Sequence, residues 1–271
     1  MNNNYTINHF NDLVVRAGKV NNVVYTDFLN LNEQLYFQNL PNNSDVICIL
    51  WGGFDLSLRK MAAIIPRDYL YDSNVNIDFP FSLVKIEPVN HKFSDKLSHR
   101  DYLGALTSTG VDRSMFGDII VEEEQAYYLC SNKVLDYVLS SIESIKRTNV
   151  VSKIVSSDIL FELKKEECIF NIYPYHKEIS QKIKFKEINA TVSSFRLDKL
   201  VSLACKVSRA EAVSIINQKR VFINDETVTK NDYILPDNCV MTVRGYGKFN
   251  IILSFEKNSK DKYHLKLLKY I

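Results

Sequence analysis

No two of the five cysteines, Cys48, Cys130, Cys168, Cys205 and Cys239, form the C-x-x-C spacing that a zinc site or a redox motif uses. His9, His91, His99, His176 and His264 are equally dispersed, so no cluster of metal ligands is visible and no cofactor is implied. No apolar run approaches the roughly 18 residues of a membrane span. The polar opening MNNNYTINHFND lacks the basic-then-apolar layout of a secretory leader. Together these absences point away from membranes and export. They lead us to expect a cytoplasmic chain with reduced, buried thiols.

Also missing is the rest of a kinase. The stretch LSHRDYLGAL, residues 97–106, contains the His-Arg-Asp that opens a kinase catalytic loop. That loop needs an Asn for magnesium five positions after the Asp, where this chain has Leu106. No Gly-rich loop, Val-Ala-Ile-Lys strand or Asp-Phe-Gly follows in order. The triplet reads better as a helix start. Ser98 is a candidate N-cap, Asp101 sits where a carboxylate answers the cap, Leu103 and Leu106 face inward, and Gly110 ends the turn. His99 and Arg100 would then project from the helix start toward solvent or an anion.

What the chain does have is an uneven charge. The net charge of +2 conceals 13 Lys and Arg against 18 Asp and Glu in residues 1–150, and 21 against 14 in residues 151–271. Phosphate neutralisation needs locally concentrated cations, so a basic end on an acidic protein suits a polyanion-binding module. The competing reading is a basic surface that serves only solubility.

With 271 residues, two or three compact units are expected. Residues 5–40 read as helical. Phe10, Leu13, Val14 and Ala17 form one stripe with Gly18 as a stop, and a second helix runs from a Thr26 cap through Phe28, Leu29, Leu31 and Leu35. This lead-in ends at Leu40, before Pro41-Asn42-Asn43. VICILW, residues 46–51, predicts a buried strand ended by Gly52-Gly53, with a helix carrying Arg59 and Lys60 after it. FSLVKIEPV, residues 81–89, predicts a second strand. DIIV (118–121) and AYYLC (126–130) predict a hairpin. Ser131 is then expected to cap a helix through Val134, Leu135, Val138, Leu139, Ile142 and Ile145. Such interleaving fits a split β-α-β layer of the ferredoxin-like or RNA-recognition-motif type.

The strongest pattern is in the basic end. In SFRLDKLVSLACKVSRAEAVSIINQKRVFIND, Ser194 is a candidate cap for a helix with Leu197, Leu200, Val201 and Ala204 inward. Ser208 to Glu211 reads as a capping box for a second helix with Val213 and Ile216 inward, whose free N–H groups and Arg209 offer an anion site. RVFIN and VMTVR predict strands around an Asn224-Asp225 turn, and a final hairpin is expected around Asn258-Ser259. Arg196 and Lys199, Lys219 and Arg220, and Arg244 and Lys248 cluster toward solvent. Part of them is explained by stems covering apolar surface.

This stretch closely resembles the S-four domain, an RNA-binding module. The resemblance implies an RNA-facing surface of Arg196, Lys199, Ser208, Arg209, Lys219, Arg220 and Asn224, to which the charge pattern adds Arg244 and Lys248. Enzymes that carry such modules need further motifs. The G-R-L-D-x-x-T-S-G of pseudouridine synthases, a Gly-rich methyltransferase loop and the H-I-G-H and K-M-S-K-S of tyrosyl-tRNA synthetases are all missing.

The order WGGF with Arg59-Lys60, KLSHRDYLGAL, GVDRSMFGDIIV, SSFRLDKL and VRGYGKF resembles the bacterial YlmH-type proteins over most of the chain. The tail EKNSKDKYHLKLLKY departs from that pattern, lacking a T-K-K-G-R turn. The resemblance implies an α+β chain with a helical segment (1–43), an RNA-recognition-motif-like domain (44–185) and an S-four domain (186–271). It implies a non-catalytic, ribosome-associated protein that binds tRNA or ribosomal RNA on the large subunit in quality control of translation, with a further link to cell division. His99, Arg100, Arg113 and Asp118 become second-tier functional candidates. Two other readings stay open: an RNA-modifying enzyme using His99, Asp101 or Asp118, and DNA binding through the helix pair.

Overall fold

Phe10, Val14 and Ala17, four and three apart, form the stripe by which helix α1 (Asn3–Val20) is buried. The helix runs past Gly18. Its core partners include Leu29, Phe37, Val46, Ala62 and Ile64. The computed structural model describes residues 3–20, 22–38, 45–70, 74–157, 159–165 and 167–270. Within it the chain divides into two units, Met1–Lys182 and Ile183–Ile271. The helix stop expected at Leu40 to Asn43 lies outside the described residues.

In the first unit, α1 is followed by β1 (Val24–Tyr25), α2 (Leu31–Gln38), β2 (Val46–Trp51) and β3 (Met61–Pro66), whose strands form an antiparallel sheet in the order β1-β3-β2. The helix expected from Thr26 through Phe28 and Leu29 is instead extended. Thr26 N donates to Ala62 O at 3.0 Å, and Leu29 and Lys60 exchange backbone bonds. Pairing with a neighbouring strand overrides the weak local helix preference there. The cap of α2 is Asn30, whose Oδ1 accepts from Glu33 N at 2.9 Å while Glu33 Oε2 accepts from Asn30 N at 2.8 Å.

The unit continues with β4 (Asn74–Asp78), β5 (Phe81–Pro88), α3 (His99–Ser108), β6 (Phe116–Glu122), β7 (Gln125–Ser131), α4 (Leu135–Ser141), β8 (Ser144–Ile145), β9 (Thr148–Val155), β10 (Phe161–Lys165), β11 (Cys168–Tyr173) and α5 (Lys177–Lys182). Five of these strands form a sheet in the order β6-β7-β5-β9-β8, antiparallel throughout. Val84, Ile86, Ala126, Tyr128 and Cys130 alternate onto one face and meet Tyr102 and Leu106 of α3 and Leu135 and Val138 of α4. Strand β4 pairs in parallel with β11, and β10 closes that smaller sheet.

Two expected helices do not form as drawn. Ser131 ends β7, and α4 stops at Ser141 because the chain turns into the β8–β9 hairpin; Ile142 and Ile145 still reach the same core. No helix carries Arg59 and Lys60. Residues 52–59 form turns, and Lys60 bridges to Leu29 at the edge of β3.

The second unit holds β12 (Phe185–Val192), α6 (Leu197–Cys205), α7 (Arg209–Asn217), β13 (Val221–Ile223), β14 (Glu226–Thr227), β15 (Cys239–Val243), β16 (Gly247–Lys257) and β17 (Tyr263–Tyr270). Its sheet runs β12-β17-β16-β15-β13-β14, antiparallel at every pair, so the first and last strands of the unit lie side by side. Leu197, Leu200, Val201 and Ala204 of α6 and Ala212, Ile215 and Ile216 of α7 pack on Val221, Met241, Val243, Phe249, Ile251 and Leu267. Truncating the fully buried Leu200 to Ala would cost about 2–5 kcal/mol. Lys206, left-handed at φ 56°, turns the chain from α6 into α7.

All five cysteines are unpaired. Only Cys130 and Cys239 are buried, which corrects the expectation for the half-buried Cys48, Cys168 and Cys205. No helix among the described residues is long and apolar enough to cross a membrane.

Candidate nucleic-acid interface

The start of α6 is built differently from its expected Ser194 cap. Arg196 is the cap residue, because the loop before β15 supplies the acceptors: Leu197 N donates to Tyr233 O at 2.8 Å and Asp198 N to Asn231 O at 3.0 Å. These bonds turn Asp198 inward, where only 3% of its side chain is exposed. Arg196 donates through Nε to Asp198 Oδ1 at 3.2 Å and through Nη2 to Oδ2 at 3.1 Å. Arg209, at the first turn of α7, donates through Nε and Nη2 to the same Oδ2 at 3.0 and 2.8 Å. Burial alone would raise the Asp198 carboxyl, but the two guanidiniums more than reverse it and hold it below the usual range.

One buried carboxylate thus orients two arginines whose side chains remain 38% and 60% exposed. A guanidinium has more donors than one carboxylate can take, so each arginine keeps N–H groups for an outside anion. Beside them, Lys199 Nζ contacts Ser193 Oγ. Ser208 Oγ caps α7 by accepting from Glu211 N at 3.2 Å, while the Glu211 carboxylate accepts from Tyr246 OH at 3.3 Å. That is one half of the expected capping box.

A second basic group forms at the corner between α7 and the sheet. Lys219 is exposed with φ 57°. Arg220 Nη2 donates to Arg244 O at 2.6 Å, and its guanidinium lies 5.9 Å from the Tyr246 ring centre. Arg244 lies 4.6 Å over the Phe222 ring. Lys248 is half-buried on β16, opposite Thr242. Asn224 is engaged otherwise: its Oδ1 accepts from Val240 N at 2.8 Å and ties β13 to β15.

The second-tier candidates lie in the first unit. His99 and Arg100 are exposed at the start of α3. Asp101 beside them answers its cap as expected: Asp101 Oδ2 accepts from Lys146 Nζ at 2.8 Å, from Ser98 N at 2.8 Å and from Ser98 Oγ at 2.7 Å. Lys146 first, then Ser98, hold its carboxyl at about 2.

Arg113 and Asp118 fasten a loop. Asp118 Oδ2 accepts from the backbone N–H groups of Leu58 and Arg59. The Arg59 guanidinium donates to Phe116 O at 3.1 Å and Phe28 O at 2.8 Å, and Arg113 donates to Phe116 O and to Gly117 O. The turn admits no side chain at Gly52, where a Cβ would lie 2.4 Å from Arg59 O. These contacts explain the WGGF, Arg59-Lys60 and GDI stretches as one interlocked structure. Asp118 holds the Leu58–Arg59 turn and Asp101 the start of α3. Among the described residues no group of His, Cys, Asp or Glu is arranged to hold a metal ion.

Asp198 is not among the site residues expected from the sequence. The signal was there: a carboxylate in the first turn of an apolar-faced helix, with arginines two positions before and eleven after. A carboxylate forced to the buried side needs cationic partners.

Residues 75–158 match the family described as a putative RNA-binding domain in YlmH, and residues 195–238 match the S4 domain. A similar protein, ribosome-associated protein quality control protein P2 of Bacillus subtilis (strain 168), is 28% identical over 244 residues, covering 89% of this chain and 84% of that protein. A solved structure, cell division protein ylmH from Streptococcus pneumoniae, aligns with a TM-score of 0.46 and 17% identity over 58% of this chain and 92% of that one.

Proposed function

We propose that this YlmH-like chain with an S4 domain is a non-catalytic RNA-binding protein that grips structured RNA. The RNA is tRNA or ribosomal RNA on the large ribosomal subunit, and the setting is cytoplasmic quality control or translation. The observation that carries the reading is the Arg196–Asp198–Arg209 arrangement inside the S4 match, which presents two oriented, solvent-facing guanidiniums. The name of the B. subtilis relative supports the ribosomal setting.

The same reading gives the first unit an RNA-recognition-motif-like middle. Its support is the element order β5-α3-β6-β7-α4-β9 with antiparallel neighbours β6-β7-β5-β9, the split β-α-β arrangement. The division into 1–43, 44–185 and 186–271 belongs to this reading. Arg196, Lys199, Ser208, Arg209, Lys219, Arg220, Arg244 and Lys248 are its contact residues, Asn224 shapes the adjoining turn, His99 and Arg100 are its candidates in the first unit, and Arg113 and Asp118 support them through the loop they hold.

Charge reversal at Arg196 or Arg209 would surround a buried carboxylate with more negative charge and disturb the fold. The cleaner test reverses Lys199 and Lys219, which leaves the Asp198 pairs in place. Loss of co-sedimentation with large ribosomal subunits in a sucrose gradient, at unchanged thermal stability, is the expected result. Unchanged co-sedimentation counts against the reading.

A further inference from the structure

The longest strand of the second unit, β16, keeps Phe249, Ile251 and Leu253 buried on alternate positions and then breaks the pattern. Its register with β17 shifts between Leu253 and Lys257, so Ser254, Phe255 and Glu256 fall outside the regular ladder. Such bulges re-aim side chains. The residue re-aimed here is Phe255, 66% exposed. A ring that served only to close the core would be buried like its neighbours on the same strand.

Phe255 is nevertheless braced. Its ring stands edge-on to Phe195 at 5.6 Å and 81°, and Phe195 lies 4.7 Å from the Tyr263 ring. Phe195 directly precedes Arg196, and Ile234, which bridges to Arg196 across the backbone, is 58% exposed. The turn beyond Phe255 carries exposed Lys260 and Lys262, and Lys257 pairs with Asp261 while lying over Tyr263. An exposed, braced aromatic ring therefore lies on a hairpin that carries Lys260 and Lys262 along with Glu256 and Asp261, and the ring that braces it directly precedes Arg196 in the chain. The S4 match ends at residue 238, so this hairpin lies beyond it.

We propose that Phe255 is a stacking platform for an unpaired base of the RNA held by the arginine pair, an inference that rests on the RNA-binding reading above. The ring supplies a π-face and the surrounding cations suit the phosphates on either side of that base. A base inside a duplex already has both faces stacked, so the ligand feature is a single-stranded nucleotide flanking structured RNA.

The test uses the full chain and two probes: an RNA hairpin with a single-stranded extension containing 2-aminopurine, and the same hairpin with blunt ends. Phe255→Ala is expected to weaken binding of the extended RNA by about 5- to 150-fold, the range for one lost base stack. It should leave the blunt hairpin unaffected. The wild type and Phe255→Trp should quench 2-aminopurine fluorescence, and Phe255→Ala should not. Equal binding of the extended RNA by Phe255→Ala and wild type overturns the inference and leaves the arginine site standing. Equal weakening on both probes with a lowered melting temperature overturns it in favour of a structural role. A wild-type chain that binds neither probe sinks the RNA-binding reading and this inference together.

Discussion

Arg209 reaches back across eleven residues to place Nε and Nη2 at 3.0 and 2.8 Å from one oxygen of Asp198. The carboxylate is buried and the guanidinium is not. The contact therefore joins the starts of two helices and sets the direction in which a cation faces solvent. A pair this exposed on one side contributes modestly to stability. Its larger effect is to orient donors before any ligand arrives.

Asp198→Asn raises the net charge by one, so a view based on charge alone expects tighter RNA binding. Orientation argues for the opposite. We expect RNA affinity to fall about 5- to 10-fold as the arginines lose their shared anchor, with stability lower by about 1–3 kcal/mol. Fluorescence anisotropy with a labelled tRNA checks the first and urea unfolding the second. Tighter binding would show that Asp198 only dilutes the positive field.

Asp118→Ala leaves the N–H groups of Leu58 and Arg59 without their carboxylate acceptor. The expected loss is about 1.5–3 kcal/mol, read as an earlier unfolding transition of Trp51, the one tryptophan of the chain and a buried residue of the first unit. RNA affinity of the folded protein should stay unchanged. An unaltered transition with lost RNA binding would make Asp118 a contact residue.

The parts of this fold legible in the sequence are those decided locally. The Ser98–Asp101 cap, the β6–β7 hairpin, the Ser208 start of α7 and the Asn224-Asp225 turn each depend on residues a few positions apart. The extended Thr26 to Leu29 and the turn at Arg59-Lys60 are not legible in the sequence because their partners lie in β3 and β6 or across the loop, beyond any local window. The cationic residues proposed for the candidate site come from charge and family likeness. Its anchor does not, because burial of Asp198 follows from loop carbonyls at Asn231 and Tyr233.

His176 is 4% exposed, its Nε2 has no hydrogen-bond partner among the described residues, and burial pushes its pKa down to about 4 from an ordinary 6.5. The unfolded chain therefore binds a proton that the folded chain refuses between those values. The contribution of His176 to stability is complete above pH 6.5 and declines as pH falls toward 4, at about 1.4 kcal/mol per unit. Urea unfolding followed by Trp51 should show the first unit about 2 kcal/mol less stable at pH 5 than at pH 7 from this group. His176→Phe should flatten that dependence, and an equal slope in both proteins would assign it to other groups.

The central claim, an oriented cationic face in the second unit that holds RNA backbone, is tested most directly by the salt dependence of RNA affinity. Logarithmic plots of affinity against salt for a structured tRNA should give a steep negative slope in the wild type. The slope should be smaller by about 1 to 2 in the Lys199→Glu, Lys219→Glu chain, as lost phosphate contacts require. A slope that is flat in the wild type, or identical in the two proteins, would contradict it.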